Sequence, residues 1–149
     1  MMVAFTTLLK TGDEVVVAQD LYGGTVSLAA KELTRFGIVP VLTTDTSSDG
    51  IRSVITAKTR AVIVETFSNP LWNVIDIPAL ADVCRSKGVT LVVDNTSATP
   101  CVVRPLELGA DVVTHSATKF LGGHHDLTAG LLRSEEHTSE LQSRFGISY

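Results

Sequence analysis

The chain has few charged residues and no run of basic ones. Only 19% of its 149 residues are charged, and the formal net charge is -4. Proteins that bind nucleic acids through phosphate contacts need clustered lysine and arginine, so we expect no nucleic-acid partner. The apolar content of 44% is sufficient for a folded core and argues against a disordered chain.

Cysteine and long apolar runs are also scarce. The two cysteines, Cys84 and Cys101, do not form a CxxC pair, and we predict two free thiols, as in a reducing cytoplasm. The apolar runs have strand length, too short to span a bilayer. The first residues mix apolar side chains with threonine and lack the pattern of a secretory signal. We therefore expect a cytoplasmic protein with no membrane partner.

Short β-branched runs alternate with helical segments along the chain. Each run is nearly continuous in apolar residues and leads into polar ones, which is typical of strands buried on both faces of a parallel sheet. Helices are predicted at Val26–Phe36, at Pro78–Lys87 and, more weakly, at Ile51–Ala57. Pro40 indicates that its run is an edge strand or an irregular strand. The pattern predicts an α/β fold, a mostly parallel sheet sandwiched by helices. Its predicted strands are Glu14–Ala18, Ile38–Leu42, Ala61–Glu65, Thr90–Asp94 and Asp111–His115.

This regular pattern stops at Arg133. Residues 133–149, RSEEHTSELQSRFGISY, are polar and lack periodicity. RSEEHTSELQS resembles the translation of a sequencing-library adapter, and a solvated tail is the alternative. We predict a domain over residues 1–132, in which Leu131 and Leu132 begin a last strand, and a tail over 133–149 without function.

The stretch HSATKFLGGHHD, residues 115–126, gives Lys119 an unusual setting. The lysine follows a strand end, with Ser116 and Thr118 before it and a Gly-Gly pair after it. An amine attacks a carbonyl only after losing its proton, a state favoured by burial or nearby positive charge. The hydroxyls could hold a phosphate or simply close a turn. Taken alone, Lys119 would be an ordinary solvated lysine.

Three further candidates lie at or just after strand ends. Asp94 ends TLVVD, where its carboxylate could pair with a protonated pyridine nitrogen or cap the following turn. Tyr22 follows the first strand and could stack on a flat ring or cover the sheet edge. Asn69, in ETFSNP, could reach a ring hydroxyl or a substrate carboxylate, although Asn-Pro is also a common turn.

A metal site is poorly supported. His124 and His125 are adjacent, and with His115 and Asp126 they do not form a recognised ligand spacing. We predict no metal. An aromatic, a carboxylate, hydroxyls and a lysine on one rim suit pyridoxal phosphate instead. The alternative is a phosphate- or nucleotide-binding α/β module without covalent chemistry, but GxxxxGK[ST] and GxGxxG are both absent.

Several motifs together resemble one enzyme family. DLYGG, ETFSNP, VVDNTSATP and RPLELGADVVTHSATKFLGGHHDLTAG are similar, in order and spacing, to the pyridoxal-phosphate-dependent enzymes of cysteine and methionine metabolism. These include cystathionine γ-synthase, cystathionine β- and γ-lyases, methionine γ-lyase and O-acetylhomoserine sulfhydrylase. The resemblance implies part of the large cofactor domain of a fold-type I, aspartate-aminotransferase-like enzyme.

The resemblance also implies roles for particular residues. Lys119 matches the lysine that holds the cofactor covalently and then moves protons on the substrate. Asp94 matches the partner of the pyridine nitrogen, and Tyr22 matches a tyrosine that stacks on the ring and takes part in proton transfer. Ser116 and Thr118 match phosphate-binding hydroxyls.

The remaining implications concern the substrate and the assembly. Asn69 matches an asparagine near the cofactor hydroxyl and the substrate carboxylate. The implied reaction is β/γ-elimination or γ-replacement on cystathionine, homoserine esters or related sulfur amino acids, in a homotetramer built from two dimers. Because the family's Ser-Gly pair, upstream arm and C-terminal domain have no counterpart in the chain, we expect a fragment with little activity alone. An inactive truncated product is the alternative.

Overall fold

The computed structural model describes residues 1–69, 71–124 and 126–134, which form a six-stranded sheet in the order β2-β1-β3-β4-β5-β6. Neighbouring strands are parallel except β5 and β6, which are antiparallel. The predicted α/β fold with a mostly parallel sheet is confirmed. The strands are β1 (Glu14–Ala18), β2 (Val39–Thr43), β3 (Thr59–Glu65), β4 (Thr90–Asp94), β5 (Val112–Ser116) and β6 (Gly130–Ser134).

Helices connect the parallel strands, and most of them are short. The segment after β1 starts as an α-helix and continues as a π turn, Leu28–Glu32, and a 3₁₀ turn, Leu33–Phe36. A further 3₁₀ turn, Pro105–Leu108, precedes β5. The α-helices are α1 (Met2–Leu8), α2 (Gly23–Ser27), α3 (Ser48–Val54), α4 (Ile77–Lys87) and α5 (Thr99–Val102).

The helix α4 follows its sequence signals closely. Asp76 caps its start, where the carboxylate accepts a hydrogen bond from the backbone N–H of Ala79 at 3.1 Å. Pro78 lies in the first turn, and Gly88 ends the helix with a φ of 64°. The helix buries Leu80 and other apolar residues against the sheet. The predicted helix at Pro78–Lys87 is therefore confirmed.

The other two predicted helices are helical in the structure, but their bounds differ from the prediction, and one of them also changes helix type along its length. The segment predicted as Val26–Phe36 begins at Gly23 and changes geometry twice before Gly37, where φ is 70°. The candidate at Ile51–Ala57 begins three residues earlier because the Ser47 hydroxyl accepts a hydrogen bond from Gly50 N–H, and it ends at Val54. Apolar spacing alone does not reveal such a cap.

The central strands β1, β3 and β4 carry the core. Val15–Val17, Val62 and Leu91–Val93 have no exposed surface, so these strands are buried on both faces. β2 lies at the edge of the sheet, with Pro40 opposite Val15, which is one of the two alternatives that the proline indicated. Burial on both faces explains why the strand predictions from continuous apolar runs were accurate.

β6 pairs antiparallel with β5 and runs to Ser134. The predicted strand start at Leu131 and Leu132 lies inside it, as do the first two residues of the predicted tail. Residues 135–149 lie outside the described residues, so the prediction for the tail stays a prediction. Among the described residues, no helix is long and apolar enough to cross a membrane.

The two cysteines are free and lie in different environments. Cys84 is buried in α4, and burial raises the pKa of its thiol to about 12. Cys101 is exposed in α5. We predict that a thiol reagent at pH 8 labels Cys101 in the native chain and reaches Cys84 only on unfolding, because the thiolate is the reactive form. Mass spectrometry of labelled peptides checks this, and rapid native labelling of Cys84 would contradict it.

Candidate active site

The carboxyl ends of the parallel strands form one rim of the sheet. The strand register aligns Glu65, Asp94 and Thr114 side by side across β3, β4 and β5. Residues aligned in this way point to the same face of the sheet, so the two carboxyl groups are neighbours. Ser116 ends β5, while Tyr22 follows β1. Parallel pairing thus gathers residues from distant parts of the sequence at one edge.

Asp94 both closes a turn and keeps one oxygen free. Its Oδ1 accepts hydrogen bonds from the backbone N–H of Thr96 at 3.0 Å and from the Thr96 hydroxyl at 2.5 Å. The Thr96 hydroxyl oxygen in turn accepts a hydrogen bond from Ser116 N–H at 2.8 Å. Oδ2 of Asp94 has no hydrogen-bond partner among the described residues. Asp94 can therefore cap the turn with one oxygen and bind a ligand with the other.

Glu65 is a rim residue that the sequence reasoning missed. Its Oε2 accepts a hydrogen bond from Tyr22 N–H at 3.2 Å, and its Oε1 accepts one from the Ser97 hydroxyl at 3.4 Å. Burial and the neighbouring charge of Asp94 raise its pKa to about 7. The signal was present in the sequence, because AVIVE ends in an acid in the same way as TLVVD.

His115 is buried at the rim. Its Nδ1 and the Thr114 hydroxyl are buried without hydrogen-bond partners in the described part of the chain. Burial lowers the pKa of His115, while the negative charge of Asp94 acts in the opposite direction. No group of three or more potential metal ligands occurs among the described residues. His125 lies outside them.

Tyr22 projects from the rim above Gly24. The tyrosine residue is 64% exposed. A Cβ atom at position 24 would lie 2.5 Å from Cε1 of the tyrosine ring, so the ring occupies the space that a side chain would fill. Glycine is therefore required at position 24 for this ring position. The exposed ring offers a flat apolar surface at the rim.

At the end of β5 and just after it, the polar groups of Ser116 and Lys119 are free, whereas the Thr118 hydroxyl is hydrogen-bonded within the protein. The Thr118 hydroxyl donates a hydrogen bond to the Ala129 carbonyl at 3.3 Å and accepts one from Ala129 N–H at 3.0 Å. This pair ties the segment to the residue before β6. The Ser116 hydroxyl and the Lys119 amine have no hydrogen-bond or ion-pair partner among residues 1–69, 71–124 and 126–134, so both are available to a ligand.

The Gly-Gly pair after Lys119 is required by the fold of this segment. A Cβ atom on Gly122 would lie 2.6 Å from the carbonyl oxygen of Ala117. Gly123 has a φ of 80°, a conformation that other residues rarely adopt. Gly123 N–H also donates a hydrogen bond to the Lys119 carbonyl at 3.2 Å. The pair lets the chain turn back tightly beside Lys119.

Asn69 lies in an exposed loop that follows β3. The loop is closed by a bridge between Phe67 and Val74 and by the rings of Phe67 and Trp72, whose centroids are 6.2 Å apart. The Asn69 side chain has no hydrogen-bond partner in the described part of the chain. Asn69 follows the carboxyl end of β3, which lies beside β4, the strand that ends in Asp94. Pro70 lies outside the described residues.

Residues 1–147 match the family described as Cys/Met metabolism PLP-dependent enzyme. The chain belongs to this family. It is 50% identical over 125 residues to cystathionine gamma-synthase/O-acetylhomoserine (thiol)-lyase of Bacillus subtilis, which covers 84% of this chain and 34% of that protein. It is also 40% identical over 142 residues to cystathionine beta-lyase of Lactococcus lactis subsp. cremoris. That alignment covers 95% of this chain and 37% of the relative. The resemblance stated from the motifs is confirmed.

The fold is also that of solved family members. The crystal structure of cystathionine gamma-lyase from Lactobacillus plantarum, complexed with L-serine, superposes with a TM-score of 0.84 at 38% identity, over 88% of this chain and 34% of that one. The expected fold-type I architecture is confirmed. The chain spans about a third of the length of these relatives.

The groups at the rim fit pyridoxal phosphate, the cofactor of the family. The ligand is a flat ring with a basic nitrogen, an aldehyde and a phosphate, and each part has a free counterpart here. Asp94 Oδ2 can bind the protonated nitrogen, the exposed ring of Tyr22 can stack, Ser116 can donate to an anion and Lys119 offers an amine. The hydroxyl of Thr118 is the exception, because Ala129 occupies its donor.

We predict that Thr96→Val lowers the free energy of unfolding by about 2 kcal/mol, because it removes hydrogen bonds to the Asp94 carboxylate and from Ser116 N–H in a half-buried site. Thr56→Val is a matched control. The Thr56 hydroxyl donates to the Glu14 carboxylate at 2.5 Å and accepts from Lys58 N–H at 3.1 Å, in an exposed site. It should cost less than about 1 kcal/mol. Equal losses in urea unfolding would contradict the prediction.

A second prediction concerns Glu65 and pH. The folded-state pKa, about 7, lies above the ordinary value of 4.5, so the neutral acid favours folding and this contribution is lost as pH rises from about 4.5 to about 7. Glu65→Gln keeps a neutral group throughout. Urea unfolding should therefore find wild type losing about 3 kcal/mol relative to Glu65→Gln between pH 4 and pH 8. A difference that does not change with pH would refute the linkage.

Proposed function

We propose that the full-length protein is a pyridoxal-phosphate-dependent transsulfuration enzyme. Its reaction is β/γ-elimination or γ-replacement on cystathionine, homoserine esters or related sulfur amino acids. The observation that carries the proposal is the rim itself, where a free carboxylate oxygen of Asp94, an exposed Tyr22 ring and the free amine of Lys119 follow three strands of one sheet. Membership of the family supports the choice of cofactor.

Some residues of the rim would bind the cofactor, and others would also move protons on the substrate. Pyridoxal phosphate, when bound, supplies an electron-withdrawing ring that stabilises negative charge at the α carbon of an amino acid. Asp94 would bind the protonated ring nitrogen with the oxygen that Thr96 leaves free. Tyr22 would stack on the ring and assist proton transfer. Lys119 would hold the cofactor through its amine, and the same amine, once released, would take the α proton and return a proton to a substrate carbon.

Hydroxyl and amide groups would bind the polar ends of the ligands. Ser116 would donate to the phosphate directly, since its hydroxyl has no partner among the described residues. Thr118 would join it by exchanging its bond to the Ala129 carbonyl for one to the phosphate. Asn69 would donate to the ring hydroxyl or to the carboxylate of the substrate. The substrate is a small amino acid with a leaving group on its β or γ carbon.

We further propose a homotetramer of two dimers in the cytoplasm. The support is the family resemblance and the presence of two free thiols, which suit a reducing compartment. A non-covalent phosphate-binding module is the rival function. It would use Ser116, Thr118 and the glycines, but it would leave Asp94, Tyr22 and Lys119 without a function.

A reductive trap tests the proposal. The purified chain is mixed with pyridoxal phosphate and treated with borohydride, which fixes the cofactor on any lysine amine that holds it, and the modified peptides are mapped by mass spectrometry. We expect label on Lys119 well above the level on the internal control lysines, because only Lys119 has a ring-binding acid and an aromatic on its rim. The controls are Lys10, Lys31, Lys58 and Lys87.

Two variants sharpen the trap. Lys119→Ala should remove the selective label, and Asp94→Asn should reduce it about tenfold or more, because a neutral amide binds a protonated nitrogen less strongly than a carboxylate does. Label spread evenly over all five lysines of wild type would contradict the proposed site in this chain.

A further inference from the structure

Glu65 lies in the middle of the rim, and none of the roles above uses it. Its side chain is nearly fully buried, with 6% of the residue exposed. One oxygen accepts a hydrogen bond from Tyr22 N–H, 43 residues away in sequence, and the other accepts one from the Ser97 hydroxyl, 32 residues away. A single carboxyl group therefore joins the segments that follow β1 and β4 to the end of β3.

We propose that Glu65 is a positioning residue. It holds the backbone of Tyr22 and the turn after Asp94, so that the tyrosine ring and the free Asp94 oxygen can contact the same ligand. The identity of that ligand, a flat cationic ring, rests on the proposed function. The positioning itself rests on the hydrogen bonds of Glu65 and on its place in the sheet register.

Tyr22 depends on this contact because little else holds it. Its ring is mostly exposed, and its hydroxyl has no partner among the described residues. Its backbone carbonyl accepts hydrogen bonds from Thr25 and Val26 as α2 begins, but these bonds do not involve its N–H group. Glu65 is the acceptor for that N–H group. The direction in which the tyrosine leaves the sheet is thus set by a carboxyl group on the neighbouring strand.

The same carboxyl group stabilises the surroundings of Asp94. Ser97 lies three residues after Asp94, and its hydroxyl donates to Glu65 at 3.4 Å. Burial raises the pKa of Glu65 most, and the negative charges of Asp94 in β4 and Asp20 in the segment after β1 raise it further. With a pKa of about 7, Glu65 is only partly ionised at neutral pH, which lessens the negative charge beside Asp94.

The first test needs no cofactor. The ¹⁵N-labelled chain is titrated from pH 5 to pH 9, and the chemical shift of the Tyr22 amide is followed in wild type, Glu65→Gln and Glu14→Gln. In wild type this amide should titrate with a midpoint near 7, the pKa of its acceptor. In Glu65→Gln the titration should vanish while the amide stays hydrogen-bonded to the glutamine oxygen.

Glu14→Gln is the matched control. Glu14 begins β1 at the opposite end of the sheet, where it accepts a hydrogen bond from the Thr56 hydroxyl. The Tyr22 amide should titrate in this variant as it does in wild type. A Tyr22 titration that persists near pH 7 in Glu65→Gln would overturn the proposal, because the amide would then report another group.

A second readout measures how firmly Tyr22 is held. In Glu65→Ala, hydrogen exchange of the Tyr22 amide should accelerate about tenfold, as expected on loss of one hydrogen bond to a carboxyl group, while the Val62 amide in β3 keeps its rate. Glu65→Gln should stay within about threefold of wild type and so rescue the effect. Unchanged Tyr22 exchange in Glu65→Ala would overturn the proposal. If the alanine variant does not fold, the glutamine titration decides alone.

The cofactor readout separates this proposal from the function on which it rests. With pyridoxal phosphate and borohydride, the label on Lys119 should fall at least threefold in Glu65→Ala and remain near wild type in Glu65→Gln. Equal labelling in Glu65→Ala would overturn the link between Glu65 and the ligand. Unselective labelling of wild type would instead contradict the proposed function, and the Tyr22 amide would still decide whether Glu65 positions the tyrosine.

Discussion

The parallel register of β3, β4 and β5 is the constraint on which the rim depends. It aligns Glu65, Asp94 and Thr114 at the ends of three strands. A slip of one residue would turn Asp94 to the other face of the sheet and separate it from Glu65. The polar ends do not set this register. The buried apolar runs do, because Ile63 and Val92 pair within strands whose faces are both covered.

The core thereby imposes an unfavourable arrangement on the rim. Two carboxyl groups lie side by side in a partly buried place, where desolvation and the charge of Asp94 oppose the ionisation of Glu65 and raise its pKa. The chain offsets this with donors from outside the strands, namely Tyr22 N–H and Ser97 on Glu65 and Thr96 on Asp94. Local rules of stability are often broken at functional sites, and this rim breaks one.

The strand ends could be predicted from the sequence, but the hydrogen bonds that their side chains make could not. Continuous apolar runs predicted five strands because burial on both faces leaves that signature, and the polar residues after them predicted Asp94, Tyr22, Ser116 and Lys119 as rim residues. Glu65 also ends an apolar run, but its role was missed because the groups that bind its carboxyl group, Tyr22 N–H and the Ser97 hydroxyl, come from distant segments. The engagement of Thr118 by Ala129 was equally invisible, since it depends on how the segment after β5 folds back towards β6.

The order of the strands explains why the contact between Glu65 and Tyr22 matters. β2 lies outside β1, whereas β3, β4 and β5 follow on its other side, so the direction of winding reverses between β1 and β3. Ligands in open α/β sheets bind beside the carboxyl ends of strands at such a reversal. Tyr22 follows β1, and Glu65 ends β3. The hydrogen bond from Tyr22 N–H to Glu65 therefore joins the segment after β1 to the end of β3, across the point where the winding reverses. Glu65 in turn lies opposite Asp94 on β4.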